Sequence, residues 1–384
     1  MKAPLLAVTT LLGGVGPTGV ETHFNQVLRH AQELGHRTRL FTPYTGPRWL
    51  RACFRPLKNW RTERAQVMYR SAQGSVIAQQ LAALSRRSAG PATIYAQCPM
   101  AARGALRLAR DVPGWRVVLI VHYNGAESAE VVDKGIAQPG GPWCRHLDRV
   151  EREVLPRVSK IVFVSDYMRR IVNARLPEIT AVPQQTLLNF PPPPAPTVDA
   201  APRGDVIAIG TLEPRKNQAF LLKVLAKARE RGADYSLALV GDGPDRIMLE
   251  RLRDELGLRD RVEFLGFRAD AARLIPHYRV LAHAAQLENC PITLIEGLSH
   301  GRPLLAGAVG GIPELYRDGV EGFFWDLQDP AHGAERLITL LGDGRKYASM
   351  AEAARSRYDR DFAHLPTRWV EMLTEQVVQR DVNS

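Results

Sequence analysis

Cysteine is scarce in this chain of 384 residues, and the few that are present lie far apart. There are four of them: Cys53, Cys98, Cys144 and Cys290. Their separations fit neither a zinc site nor a redox pair, which excludes the usual cysteine-based metal and dithiol centres. We therefore expect reduced thiols in a cytoplasmic protein.

Long apolar runs are missing as well. The only candidate targeting segment is the apolar stretch 3–12 behind Lys2, and no small-residue cleavage site follows it. It is shorter than the roughly 20 residues that span a bilayer, and no other stretch is long enough. We expect a buried first strand there and no transmembrane helix.

Acidic residues are few in the first half of the chain. Residues 1–200 contain 26 Lys and Arg against 13 Asp and Glu, whereas the rest contains 25 against 27. The net charge of +11 therefore belongs to the first half, which favours an anionic partner such as an anionic lipid or a phosphorylated acceptor. We expect no nucleic-acid binding, because no recognisable nucleic-acid module accompanies the charge.

Apolar strands and amphipathic helices alternate along the chain, once up to about residue 165 and again from residue 205. This predicts an α/β protein of two tandem doubly wound, Rossmann-like domains facing a central cleft. The proline-rich segment 189–196 marks the linker. The predicted divisions are a first domain at 1–195, a second at 196–365, and a C-terminal helix at 366–384 that packs back on the first domain.

Two glutamates, Glu288 and Glu296, flank a predicted helix start near Pro291. The first turn of such a helix offers backbone N–H groups, here of Ile292 and Thr293, to an anion. A phosphate site beside two hydroxyl-binding carboxylates suits a nucleotide sugar. Two unrelated acids on a solvated helix face are the alternative.

Cations and glycines follow other strands of the second half. Arg215 and Lys216 come directly after a strand and suit a diphosphate whose negative charge grows as it leaves. Gly241, Gly243 and Arg268 close later strands, where they either line a nucleotide or form turns. An ordinary surface loop with salt bridges is the alternative for the two cations.

The first half carries a glycine turn with Gly16 and Gly19, which matches GxGxxG between a strand and a helix. A nicotinamide site would also need an acidic residue at the end of the second strand, and segment 37–43 has none. A hydride-transferring enzyme is therefore the weaker interpretation.

His122 ends another apolar strand and is a candidate to hydrogen-bond a sugar hydroxyl or move a proton, with a structural histidine as the alternative.

Residues 48–64 combine basic residues at spacings of three or four with interleaved aromatic residues. Such a stripe is typical of a helix that contacts an anionic membrane surface. A charged, solvated helix covering the domain explains it equally well.

Together these motifs resemble the retaining glycosyltransferases of family four, the group 1 type with the GT-B fold. The resemblance is strong over 205–330 and weaker over 1–170. Its motifs are Glu288 with Glu296, Gly210 to Asn217, Gly301-Arg-Pro303 and Gly310-Gly-Ile-Pro-Glu314.

The resemblance implies a role for each residue. Glu296 would bind the donor ribose, Glu288 the transferred sugar, Lys216 the diphosphate, and His122 the sugar near the reacting carbon. It also implies a UDP-, GDP- or TDP-linked donor, a hydroxyl acceptor on a glycan, glycolipid or natural product, and neither metal nor other cofactor. An epimerase or phosphorylase of the same fold is the alternative.

Two departures from the family pattern concern the donor site. Thr211 stands where many members have arginine, so Arg215 is expected to share the diphosphate with Lys216. The segment 289–293 replaces the usual glycine-rich stretch between the two glutamates, which bears on donor preference.

Overall fold

The structure, a computed structural model, describes residues 4–13, 18–45, 62–87, 90–194 and 202–375. The chain divides into two compact units, one formed by the residues up to 188 together with those from 365 onward, and the other by residues 189–364. No helix within the described ranges is long and apolar enough to cross a membrane.

The first unit is built on a parallel sheet of six described strands with helical crossovers. Its strands are β1 (Leu5–Thr9), β2 (Thr38–Phe41), β3 (Ala92–Ala96), β4 (Trp115–Val121), β5 (Lys160–Phe163) and β6 (Gln184–Thr186). Its helices are α1 (Gly19–Glu33), α2 (Glu63–Ser85), α3 (Pro99–Ala109), α4 (Glu127–Asp133), α5 (Pro142–Val154) and α6 (Asp166–Arg175). The strand order is β2-β1-β3-β4-β5-β6, so the order reverses between β1 and β3.

The second unit repeats this architecture. Its strands are β7 (Gly204–Ile209), β8 (Leu237–Val240), β9 (Val262–Gly266), β10 (Tyr278–His283), β11 (Leu304–Gly307) and β12 (Gly322–Trp325). Its helices are α7 (Gln218–Glu230), α8 (Arg246–Glu255), α9 (Ile292–Ser299), α10 (Pro330–Leu341) and α11 (Gly344–Asp361). The order β12-β11-β10-β7-β8-β9 reverses between β10 and β7, which is where doubly wound sheets open a ligand crevice.

Both sheets have helices on their two faces, which explains why central strands such as β1 and β4 are nearly continuous apolar runs. All five residues of β1 are buried, as are six of the seven in β4. Two doubly wound parallel sheets in tandem are therefore confirmed as the fold class.

The C-terminal helix α12 (Leu365–Thr374) belongs to the first unit. Trp369 is buried and its indole N–H donates to the carbonyl of Leu188 at 2.8 Å. Arg116 donates to the carbonyl of Leu373 at 2.9 Å. The first unit thus ends at residue 188, a few residues before the predicted boundary, and takes up a helix from the far end of the chain.

Candidate active site

Glu288 lies at the reversal point of the second sheet, in the loop after β10. One of its carboxylate oxygens, Oε1, is contacted by three groups: Lys216 Nζ donates to it, and Arg215 Nη1 and His283 Nε2 each lie 3.5 Å away. Burial alone would raise the pKa of Glu288, but Lys216, His283 and Arg215 together hold it well below its ordinary value. The carboxylate is therefore charged throughout the neutral range.

The turn after β7 brings the two cations to this carboxylate. A short 3-10 turn at Pro214–Lys216 ends at Asn217, whose left-handed backbone (φ 52°) leads into α7. The loop after β10 is fastened to this turn, since the Gln286 N–H donates to the Arg215 carbonyl at 3.0 Å. The pairing of β7 with β10 thus joins motifs that are distant in sequence.

Gly310 and Gly311 contact the backbone carbonyl of Glu288. Gly311 N–H donates to the Glu288 carbonyl at 2.9 Å. Gly310 has a left-handed backbone (φ 59°), and a Cβ there would lie 1.9 Å from the same carbonyl oxygen. Only glycine allows this close approach.

Helix α9 begins beside Glu288. Pro291 is its N-cap residue, and no side chain caps its first turn. The first N–H groups, which belong to Ile292 and Thr293, therefore receive no side-chain cap, and a helix terminus of this kind suits an anion.

Glu296 lies on the second turn of α9 and is half-buried. Removal from water raises its pKa to about 7. No described residue donates a hydrogen bond to its carboxylate, in contrast to Glu288. An acid in this setting is suited to accept hydrogen bonds from ligand hydroxyl groups.

Gly241 and Gly243 pack the loop after β8 against the loop after β7. A Cβ at Gly241 would lie 1.9 Å from the Gly210 carbonyl oxygen, and one at Gly243 would lie 2.2 Å from that of Leu212. Both glycines are thus required by backbone packing, whatever they do for a nucleotide.

The Arg268 guanidinium is exposed and pairs with Asp270 at 2.9 Å, and the structure does not bring it to Glu288.

His122 follows β4 in the first unit and belongs to a ring cluster. The Tyr95 hydroxyl lies 3.1 Å from His122 Nε2 and 3.2 Å from His23 Nδ1, and Trp369 packs edge-on against His23. Burial lowers the pKa of His122 to about 3, so the ring is neutral at physiological pH. A neutral imidazole of this kind is suited to hydrogen bonding and is a weak base.

The glycine turn and the basic stripe are largely outside the described residues. Gly16 lies there, as do residues 48–61 of the stripe. Gly19 is described and begins α1, where the Thr18 side chain accepts a hydrogen bond from Glu21 N–H at 3.2 Å.

Elsewhere in the first unit, a cavity of about 30 Å³ lies beyond β1 and β3, with Leu11, Met100, Glu127 and Trp143 in its wall. Glu127 Oε2 and Trp143 Nε1 have no hydrogen-bond partner among the described residues. The cavity has the size and polar lining for one or two waters.

Across the described ranges, no group of three or more His, Cys, Asp or Glu side chains is placed to hold a metal ion.

Two family patterns match the chain in tandem. "Glycosyl transferase 4-like domain" covers residues 18–184, and "Glycosyl transferases group 1" covers residues 200–357, which includes the whole cluster around Glu288. The chain belongs to the group 1 glycosyl transferases. The predicted family is therefore confirmed.

Curated relatives of this group 1 glycosyl transferase match over part of their length. One is the GDP-mannose-dependent alpha-(1-6)-phosphatidylinositol monomannoside mannosyltransferase of Mycolicibacterium smegmatis, 30% identical over 54% of this chain and 60% of its own. Another is the N-acetyl-alpha-D-glucosaminyl L-malate synthase of Bacillus anthracis, 34% identical over 32% of each chain. The chain thus spans between about a third and three fifths of these relatives.

Solved structures match over nearly the whole chain. Anabaena HepE in complex with UDP and glucose has a TM-score of 0.69 at 17% identity, covering 97% of this chain and 100% of its own. Sucrose-phosphate synthase from Thermosynechococcus elongatus has a TM-score of 0.70 at 16% identity, covering 97% and 98%. At this identity the likeness establishes the GT-B fold.

His283 was missed by the sequence analysis of this group 1 glycosyl transferase. It is 5% exposed and is the last residue of β10. The criterion that selected His122, a histidine at the carboxyl end of a parallel strand, applies to it equally.

Proposed function

We propose that the chain transfers a sugar from a nucleotide diphosphate donor to an acceptor hydroxyl group, with retention of the anomeric configuration. The observation that carries this proposal is the convergence of Lys216 and Arg215 on Glu288, beside the uncapped start of α9. Two cations and a helix terminus suit a diphosphate, and partly buried carboxylates suit sugar hydroxyl groups. The names of relatives that use GDP-mannose or bind UDP support such a donor.

Each polar side chain of the site has one role in the proposal. Lys216 and Arg215 bind the diphosphate and stabilise the charge that develops as it leaves. Glu288 binds the transferred sugar, Glu296 binds the ribose, and His122 hydrogen-bonds the sugar near the reacting carbon as a neutral imidazole.

The backbone forms the remainder of the proposed donor site. The amides of Ile292 and Thr293 bind phosphate oxygens, and the loops at Gly241 and Gly243 approach the nucleoside. Arg268 is assigned to the nucleotide as well, in which case it exchanges Asp270 for the ligand.

The proposed chemistry is a front-face substitution without metal or other cofactor. The acceptor oxygen bonds to the anomeric carbon while the bond from that carbon to the diphosphate oxygen breaks. The acceptor proton passes to the leaving phosphate oxygen, so no enzyme base is needed. Such a reaction depends on positioning and charge stabilisation, which a lysine, an arginine and a helix terminus supply.

The acceptor proposed is an anionic or lipid-linked molecule, used at the cytoplasmic face of the membrane. The excess of basic residues in the first half supports an anionic acceptor. One relative is named for a phosphatidylinositol mannoside acceptor. The basic stripe at 48–64 is assigned to membrane contact in this proposal.

The test is to screen UDP-, GDP- and TDP-sugars, first for thermal stabilisation and then for transfer to anionic and neutral hydroxyl acceptors. Transfer forms one nucleoside diphosphate for each glycoside, and the product keeps the donor's anomeric configuration. An epimerase would release no nucleoside diphosphate, and a phosphorylase would need free phosphate. Failure of every donor to bind would refute the proposal, and Glu288→Gln serves as the control with strongly reduced turnover.

A further inference from the structure

His283 is a buried histidine with an unsatisfied ring nitrogen next to the charged centre of the donor site. Its Nε2 lies 3.5 Å from Glu288 Oε1, longer than a well-formed hydrogen bond, and has no other partner among the described residues. Buried polar side-chain atoms are usually hydrogen-bonded, so an unpaired ring nitrogen that faces a carboxylate requires an explanation.

The oxygen that His283 faces is already occupied. Lys216 donates to Glu288 Oε1, and Arg215 lies within 3.5 Å of the same atom. In the proposed function both cations bind the donor diphosphate. When they turn to the phosphates, the Glu288 carboxylate, only 12% exposed, loses its principal partners. A buried charge without partners is costly and poorly oriented.

We propose that His283 takes over this oxygen when the donor binds, so that Nε2–H donates to Glu288 Oε1 and holds the carboxylate towards the transferred sugar. The proposal rests on the proposed function. The gap has to close by only about 0.5 Å to reach hydrogen-bond length, and such contacts often tighten only in the ligand complex.

The environment of His283 suits this task. Burial lowers its pKa, with Lys216 and Arg215 acting in the same direction against Glu288. The ring is therefore neutral at physiological pH, and a neutral imidazole presents one N–H donor. It can hold the carboxylate without neutralising the charge that the sugar hydroxyl groups require. His283 is thus a positioning residue that acts through Glu288.

The first test compares three variants. His283→Phe keeps a planar ring and removes the donor, and His283→Gln restores an N–H at similar reach. His277→Phe is the matched control, because His277 immediately precedes the same strand at its opposite end. We expect kcat of His283→Phe to fall about 10- to 100-fold, which corresponds to the loss of one hydrogen bond to a charged group. The KM for the donor should change less than threefold. His283→Gln should recover most of the loss, and His277→Phe should show none.

The second test places His283→Phe in a Glu288→Gln background. If His283 acts through Glu288, the second substitution adds little further loss. An equal loss in both backgrounds, or unchanged kcat in His283→Phe, would overturn the assignment.

A third readout separates this inference from the proposed function. In protein labelled with ¹⁵N-histidine, UDP or GDP should shift the His283 Nε2 signal, identified by its absence in His283→Phe. A bound nucleotide without that shift refutes the role of His283 alone. A wild-type enzyme that binds no nucleotide and forms no glycoside refutes both.

Discussion

At the scale of single residues, Lys216 carries the largest share of the proposed charge stabilisation. We expect Lys216→Ala to lower kcat about 100-fold, which corresponds to the loss of one strong stabilising donor. Lys223→Ala is the matched control, since Lys223 is exposed on the neighbouring helix α7 and should have no effect. Steady-state kinetics with a saturating donor decide the matter, and near-normal turnover of Lys216→Ala would remove its role.

Glu296 provides a prediction about pH. Its pKa in the folded protein, about 7, lies above the ordinary value of 4.5, so the folded state binds the proton more tightly than the unfolded state. The free energy of unfolding therefore falls as the pH rises from about 4.5 to 7. The glutamine of Glu296→Gln does not ionise, so the free energy of unfolding of this variant does not fall for that reason. Glu296→Gln should therefore be more stable than the wild type at pH 8. The difference should be at most about 3 kcal/mol, because Glu296 keeps some exposure.

Thermal unfolding at pH 5.5 and pH 8 measures this difference. Glu335→Gln, which changes an exposed glutamate of α10, should leave the pH dependence as it is. Glu296→Gln should at the same time weaken donor binding, since an amide replaces the carboxylate proposed for the ribose. The quantity that decides is the difference in stability between Glu296→Gln and the wild type at each pH. If this difference is no larger at pH 8 than at pH 5.5, the pKa of Glu296 is not raised.

The sequence predicted the types of these site residues but not their contacts. Lys216 and Glu288 are 72 residues apart, and they meet only because β10 pairs with β7. Strand order is a property of the whole sheet, so local spacing does not contain it. His283, in contrast, could have been found from the sequence, because its place at a strand end follows from the apolar run before it.

At the scale of secondary structure, the turn at Gly310 links a backbone conformation to the position of Glu288. Gly310→Ala would combine a left-handed backbone with a Cβ overlapping the Glu288 carbonyl, whereas Gly319→Ala meets the same φ constraint (74°) in open space. We expect Gly319→Ala to cost about 1–2 kcal/mol. Gly310→Ala should cost about 1–3 kcal/mol more and also reduce activity, because Glu288 has to move.

Unfolding by urea and donor turnover, measured on both variants, test this prediction. Equal losses of stability with unchanged turnover would mean that the contact between residue 310 and Glu288 does not matter.

Helices and strands were predictable where burial dictates an apolar pattern, as for β4 and α7. Their ends depend on local contacts that periodicity does not encode. Helix α1 begins at Gly19 because Thr18 caps it. Strand β9 continues to Gly266 because Val240 pairs with Gly266 across a register shift.

At the scale of the whole molecule, the C-terminal helix α12 stabilises the first unit, which otherwise consists of the residues up to 188. Trp369 is fully buried, donates to the Leu188 carbonyl and packs 4.5 Å from the His23 ring. Trp369→Ala should cost about 3–5 kcal/mol, as is typical of a buried tryptophan. The loss should fall on the first unit, because these contacts lie within it.

Hydrogen exchange read by mass spectrometry locates the effect. In Trp369→Ala, protection should fall in peptides from 4–188 and persist in peptides from 202–364. Trp325→Ala is the matched control, since Trp325 is buried in the core of the second unit and should give the opposite pattern. Equal loss of protection in both units for either variant would show that they unfold as one cooperative body, and α12 would then stabilise the second unit as well as its own.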